Sequence, residues 1–145
     1  MTTAEHLDTI DRLRAREFPT ERGGSGGRTS GPGYHLVQLG RTSDFWDDDG
    51  SGRAEAADQI GAECGALAQA LTGRWGEPQM FSLTSVLDRV LEGEAIPQPW
   101  HEMSNTTDHL RLWRVEGQWL VAYVAQWDAE GPYLLMAGVT VVDPP

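Results

Sequence analysis

The stretch HLRLWRVEGQWLVAYVAQWDAEGPYLLMAGVTVV, residues 109–142, decides the fold. It reads as three antiparallel strands. Segments 110–115 and 118–126 flank Glu116-Gly117, a two-residue hairpin loop whose glycine tolerates a positive φ. If Val115 faces Gln118, then Leu112 faces Val121 and Leu110 faces Tyr123. One face of the hairpin then carries Leu110, Leu112, Trp119, Val121 and Tyr123, and the other carries Trp113, Leu120, Val124 and the stem of Arg111. Both faces are apolar enough to need a cover. The third strand, 133–142, follows the turn around Asp128-Ala129-Glu130-Gly131-Pro132 and is apolar in both registers except at Thr140. Such a strand belongs inside a sheet and not at an open edge.

Outward from this meander, the other elements follow from shorter signals. Thr2-x-x-Glu5 has the form of a capping box, and Leu7, Ile10 and Leu13 recur at helical spacing, which predicts an N-terminal helix within 1–18. Residues 19–33 contain TERGGSGGRTSGPG and read as a flexible Gly-rich linker, leaving 34–145 as a single domain. Segment 34–39 (YHLVQL) reads as a strand. In 52–71 a stripe of Ala57, Ile60, Gly61, Cys64, Leu67, Ala68 and Leu71 predicts a long amphipathic helix ending near Gly73. Cys64 within that stripe reads as a small buried hydrophobe. A short strand at 79–83 precedes a short helix over 85–93, with Ser85-x-x-Asp88 as its capping box, and the proline-bearing segment 94–108 reads as irregular. The expected fold is α+β: a mainly antiparallel sheet of four or five strands, ending in the meander and covered by one long and one short helix.

Charge narrows the partners. The chain has 22 acidic residues and 11 arginines with no lysine, and residues 1–30 hold five of each sign. The net charge of −11 therefore sits entirely in 31–145. Such a surface repels phosphate backbones and anionic membranes and suits a basic protein partner, with a homo-oligomer as a further option. The single cysteine precludes an internal disulfide and suits a reducing compartment, and no signal peptide or membrane span is legible, so a cytoplasmic protein is expected.

Familiar catalytic signatures are missing: the sequence holds no CxxC, HExxH or GxSxG and no phosphate loop with a following lysine. No pattern calls for a cofactor. Two groups of residues remain. His35, His101 and His109, with carboxylates such as Glu102 and Asp108, would make a metal-assisted hydrolase if they converge. Residues 47–58 place oxygen ligands at positions 1, 3, 5, 9 and 12 of a twelve-residue loop, namely Asp47, Asp49, Ser51, Glu55 and Asp58, with Gly52 at position 6. Over those twelve residues the sequence resembles an EF-hand-type calcium loop, which implies a divalent-cation site. Asp58 stands where glutamate is usual, and the same carboxylates also suit a helix N-terminus.

Among the six tryptophans, Trp46 is unusual because it lies beside Phe45 and is followed by Asp47, Asp48 and Asp49. Trp127 stands similarly before Asp128 and Glu130. Aromatic residues ringed by acids suit recognition of an arginine- or lysine-rich surface, the ring supplying burial and the acids supplying steering. The leading expectation is a small acidic protein that binds another macromolecule, as an inhibitor or immunity-type protein does, through Phe45, Trp46, Asp47, Asp48 and Asp49.

Overall fold

A computed structural model describes residues 2–42 and 51–145. In chain order the elements are α1 (Thr3–Ala15), β1 (Gly23–Ser25), β2 (Arg28–Gly31), β3 (Tyr34–Arg41), α2 (Ser51–Trp75), β4 (Gln79–Ser82), α3 (Thr84–Leu91), α4 (Trp100–Thr106), β5 (His109–Val115), β6 (Gln118–Ala125) and β7 (Leu134–Thr140). All seven strands form one antiparallel sheet in the order β1-β2-β3-β7-β6-β5-β4.

The meander has the expected register, with Val115 opposite Gln118 and Leu112 opposite Val121. Glu116 and Gly117 both take positive φ, 49° and 82°, so the two-residue loop matches the strand twist. Apolar on both sides, β7 lies fourth of the seven strands, paired with β3 and β6. The two hairpin faces feed two separate cores. Trp113, Leu120 and Ala122 meet Ile60, Leu67 and Leu71 of α2 and Ile10 and Leu13 of α1. Leu110, Leu112, Val121 and Tyr123 meet Val86 of α3 and Trp100 and Met103 of α4 on the opposite face.

The α+β architecture stands, but among the described residues the sheet has seven strands where four or five were expected, and four helices cover it where one long and one short were expected. Two added strands come from the glycine-rich segment. There Ser25 pairs with Arg28 around Gly26-Gly27, both at positive φ (59° and 80°), and β2 continues into β3 through Pro32-Gly33. This hairpin is held by backbone pairing; β1 is exposed throughout and offers no apolar alternation to read. Among the helices, α4 begins at Trp100 directly after Pro99. Proline is compatible with a helix start because the first-turn N–H groups have no partner to lose, which is why Pro97 and Pro99 did not keep the segment extended.

Helix α1 is capped as expected, the Thr2 hydroxyl accepting from Glu5 N at 3.2 Å, and it packs against α2 and β7. Two ion pairs, Arg74–Asp11 at 2.9 Å and Arg14–Glu116 at 3.0 Å, fix its orientation. Helix α2 runs through Gly73 to Trp75 and closes where Gly76 N donates to Thr72 O. Helix α3 starts one residue before Ser85, and its N-cap, Leu83, makes no side-chain cap bond. Among the described residues no helix is long and apolar enough to cross a membrane.

Candidate functional site

One end of the sheet gathers the end of β3, the start of β7, the end of β6 and the start of β5. Thr42 and Tyr133 clasp it, Thr42 N donating to Tyr133 O and Tyr133 N to Thr42 Oγ1, each at 3.0 Å. Gln126 braces the 126–133 turn from below, its backbone N–H donating to Thr106 O at 2.9 Å and its side chain to Gly131 O at 3.0 Å. The Asp128 carboxylate accepts from Glu130 N at 3.0 Å, and Glu130 pairs with Arg53 of α2 at 2.9 Å. On this hydrogen-bonded turn Trp127 is 60% exposed. An indole left in water on a braced turn has no packing reason to be there.

Beside the turn lies a groove of about 600 Å³, whose lining includes Leu83, Leu87, Asp88, Asn105, Asp108 and Gln126. Asp88 and Asp108 are exposed on it, and Asp108 also meets His109 at 2.6 Å. The end of the sheet therefore combines an exposed aromatic side chain, an apolar-floored groove and several carboxylates.

Phe45, Trp46, Asp47, Asp48 and Asp49 lie outside the described residues. The residues that bracket them do not: Thr42 is clasped to Tyr133, and α2 starts at Ser51. Of the calcium-loop ligands, Asp47 and Asp49 share that segment, while Ser51, Glu55 and Asp58 fall on the first turns of α2, with Glu55 and Asp58 exposed. Among the described residues no group of three or more His, Cys, Asp or Glu side chains could hold a metal ion.

No known family model, curated protein or solved structure matches this chain.

The three histidines do not meet. His35 is fully buried on the α1 side of β3, His101 is carried by α4 on the opposite face of the sheet, and His109 is exposed at the start of β5. Cys64 is buried in α2 at 3.4 Å from the Arg111 guanidinium, and burial pushes its thiol up despite that cation. A protonated thiol there is packing, not a nucleophile.

Apart from the other two histidines, His35 is a fully buried polar group of the core with both ring nitrogens in contact. Its Nδ1 lies 2.5 Å from Ser30 Oγ and its Nε2 lies 3.3 Å from Arg16 O. The sequence held a signal for this pair, because a two-residue loop at Pro32-Gly33 sets Ser30 directly opposite His35. Burial holds His35 below its ordinary pKa, and burial does the same to His6 on α1. Both rings are therefore neutral in the folded chain under conditions where the unfolded chain protonates them at about pH 6.5. Unfolding then takes up protons, so stability rises with pH between the lowered folded values and about 6.5, and is lost as pH falls below that window. Urea midpoints should be flat from about pH 7.5 to 7 and drop toward pH 5, each histidine contributing a slope of up to about 1.4 kcal/mol per pH unit. His35→Gln should reduce that slope by one proton's worth; an unchanged slope would show that His35 is not the group taking up the proton.

Proposed function

We propose that this chain binds another protein through the acidic end of its sheet, covering a basic surface as an inhibitor or immunity-type protein does. The observation that carries this reading is Trp127, 60% exposed on a turn fixed by Gln126, Asp128 and Glu130. Groove residues Asp88 and Asp108 extend the same surface, and the net charge of −11 supplies long-range attraction for a cationic partner. The sequence supports adding Phe45, Trp46, Asp47, Asp48 and Asp49, an aromatic pair followed by three acids, to the proposed docking residues. A reducing, cytoplasmic setting suits the single cysteine.

In such an interface the aromatic side chains set the dissociation rate and the acids set the association rate. Affinity capture from native lysate at low salt, followed by kinetics with the purified captured protein, tests it. Trp127→Ala should speed dissociation roughly thirtyfold, the equivalent of about 2 kcal/mol for a central aromatic anchor. Converting Asp47, Asp48 and Asp49 together to asparagine should slow association by roughly tenfold and flatten its salt dependence. Binding that is insensitive to salt and to both sets of changes would reject this surface.

A further inference from the structure

At the other end of β3, away from the docking groove, a cavity of about 440 Å³ lies between the 16–21 segment and the β1–β3 strands, a size that suits a small-molecule ligand. Its floor is a single cross-strand row: Gly23 opposite Ser30, and Ser30 opposite His35. The His35–Arg16 contact fixes the proton positions. A carbonyl oxygen only accepts, so Nε2 of His35 carries the hydrogen given to Arg16 O, and Nδ1 is left bare to accept from the Ser30 hydroxyl. Phe18 stacks on the imidazole with centroids 4.9 Å apart and holds the ring plane. A hydroxyl bonded to a neutral imidazole, whose second nitrogen is oriented by a third group, is the arrangement that activates a serine nucleophile. Here the third group is a main-chain carbonyl.

Two further features distinguish this cavity from a plain buried hydrogen bond. Gly23 leaves the space beside Ser30 empty: a Cβ built there would meet nothing within 4 Å. Arg28, two residues before Ser30 on the same face of β2, lines the same cavity, and its Nε is buried with no hydrogen-bond partner. An unpartnered N–H of a cationic side chain, lining the same cavity as the Ser30 hydroxyl, can meet negative charge that develops on a substrate oxygen. Glu17 and Glu21 also line the cavity and disfavour an anionic substrate.

We propose that this cavity is an acyl-transfer site that hydrolyses small uncharged esters, with Ser30 as nucleophile, His35 as general base and Arg28 as the oxyanion donor. Ser30 Oγ attacks the ester carbonyl carbon while its proton passes to His35 Nδ1, and the negative oxygen is met by the Arg28 guanidinium. The bond to the alcohol breaks, and the departing oxygen takes the proton from Nδ1. Water then attacks the acyl-Ser30 carbon, giving one proton to Nδ1; the acid leaves and Ser30 Oγ recovers that proton. The balance is ester plus water to acid plus alcohol. A neutral carbonyl stabilises the transient imidazolium less than a carboxylate would, so covalent capture is a more sensitive readout than turnover.

The full-length chain, incubated with diisopropyl fluorophosphate, should gain one adduct that maps to Ser30, and Ser30→Ala should gain none. With p-nitrophenyl acetate as the probe, Ser30→Ala should lose the hydrolysis seen above buffer. Gly23→Leu, on the exposed edge strand, should slow labelling of Ser30 by at least tenfold while leaving the melting temperature near that of the parent chain. Absence of an adduct at Ser30, hydrolysis equal in the parent chain and Ser30→Ala, or labelling at the parent rate in Gly23→Leu would each overturn the proposal.

Discussion

Trp100→Ala should cost about 3–5 kcal/mol of stability, the range for emptying a buried aromatic site. Trp100 is fully buried at the start of α4, where it packs with Leu83, Val86 and Met103 in the core on that face, and the Phe81 ring meets it edge-on with centroids 5.6 Å apart. Its indole N–H donates to Val142 O at 3.0 Å, so the same side chain ties the segment after β7 to the helix layer. Truncation opens a cavity and also leaves that carbonyl without its donor. Set against a typical domain stability of about 5–15 kcal/mol, the loss removes a large share. Trp100→Phe separates the two effects: it keeps most of the apolar volume, so it should cost much less, with about 1–3 kcal/mol assigned to the carbonyl left unpaired. Urea unfolding followed by far-ultraviolet circular dichroism measures both. A loss under about 1 kcal/mol for Trp100→Ala would be too small for a filled core site.

That α4 carries such weight was not legible in the sequence, and the reason is local. Pro97 and Pro99 restrict the residues before them to extended conformations, so 94–108 read as a connection; yet proline at the threshold of a helix costs nothing, and Trp100 and Met103 sit three apart, one turn of a buried stripe. The meander was legible because each of its residues carries information: alternation assigned both faces, and Glu116-Gly117 set the register. The hairpin of β1 and β2 carries almost none of that information. Its first strand is Gly-Gly-Ser, wholly exposed and paired through backbone alone, so composition pointed to a linker. Missing that hairpin also hid the Ser30–His35 pair, which exists only once the strands are set side by side. Helix α2 overran its expected stop because an exposed glycine within a long helix costs only about 1 kcal/mol, which is offset by carrying Trp75 against the core.

The second large effect is expected at Gly138, in the middle of the central strand. Its neighbours on β7, Ala137 and Val139, face the α1–α2 core, so Gly138 faces the α3–α4 side, opposite Leu36 of β3 and Val121 of β6. A Cβ there would lie 2.5 Å from Leu36 Cδ2, 3.0 Å from Val121 Cγ2 and 3.1 Å from His35 O. The first contact can relax by a rotamer change at Leu36; the last is backbone in a paired strand and cannot move without breaking the ladder. Gly138→Val, with two methyls beyond that Cβ, should therefore destabilise by about 3 kcal/mol, the upper part of the overpacking range. Leu36→Ala alone should cost about 2–5 kcal/mol as a cavity. Combined, the two changes should cost less than their sum by about 0.5–3 kcal/mol, because each supplies what the other lacks, volume against space. Urea unfolding of the parent, both single variants and the double variant closes the cycle. Strict additivity would mean that Leu36 is not the side chain that keeps this position glycine, leaving the fixed His35 carbonyl as the obstacle.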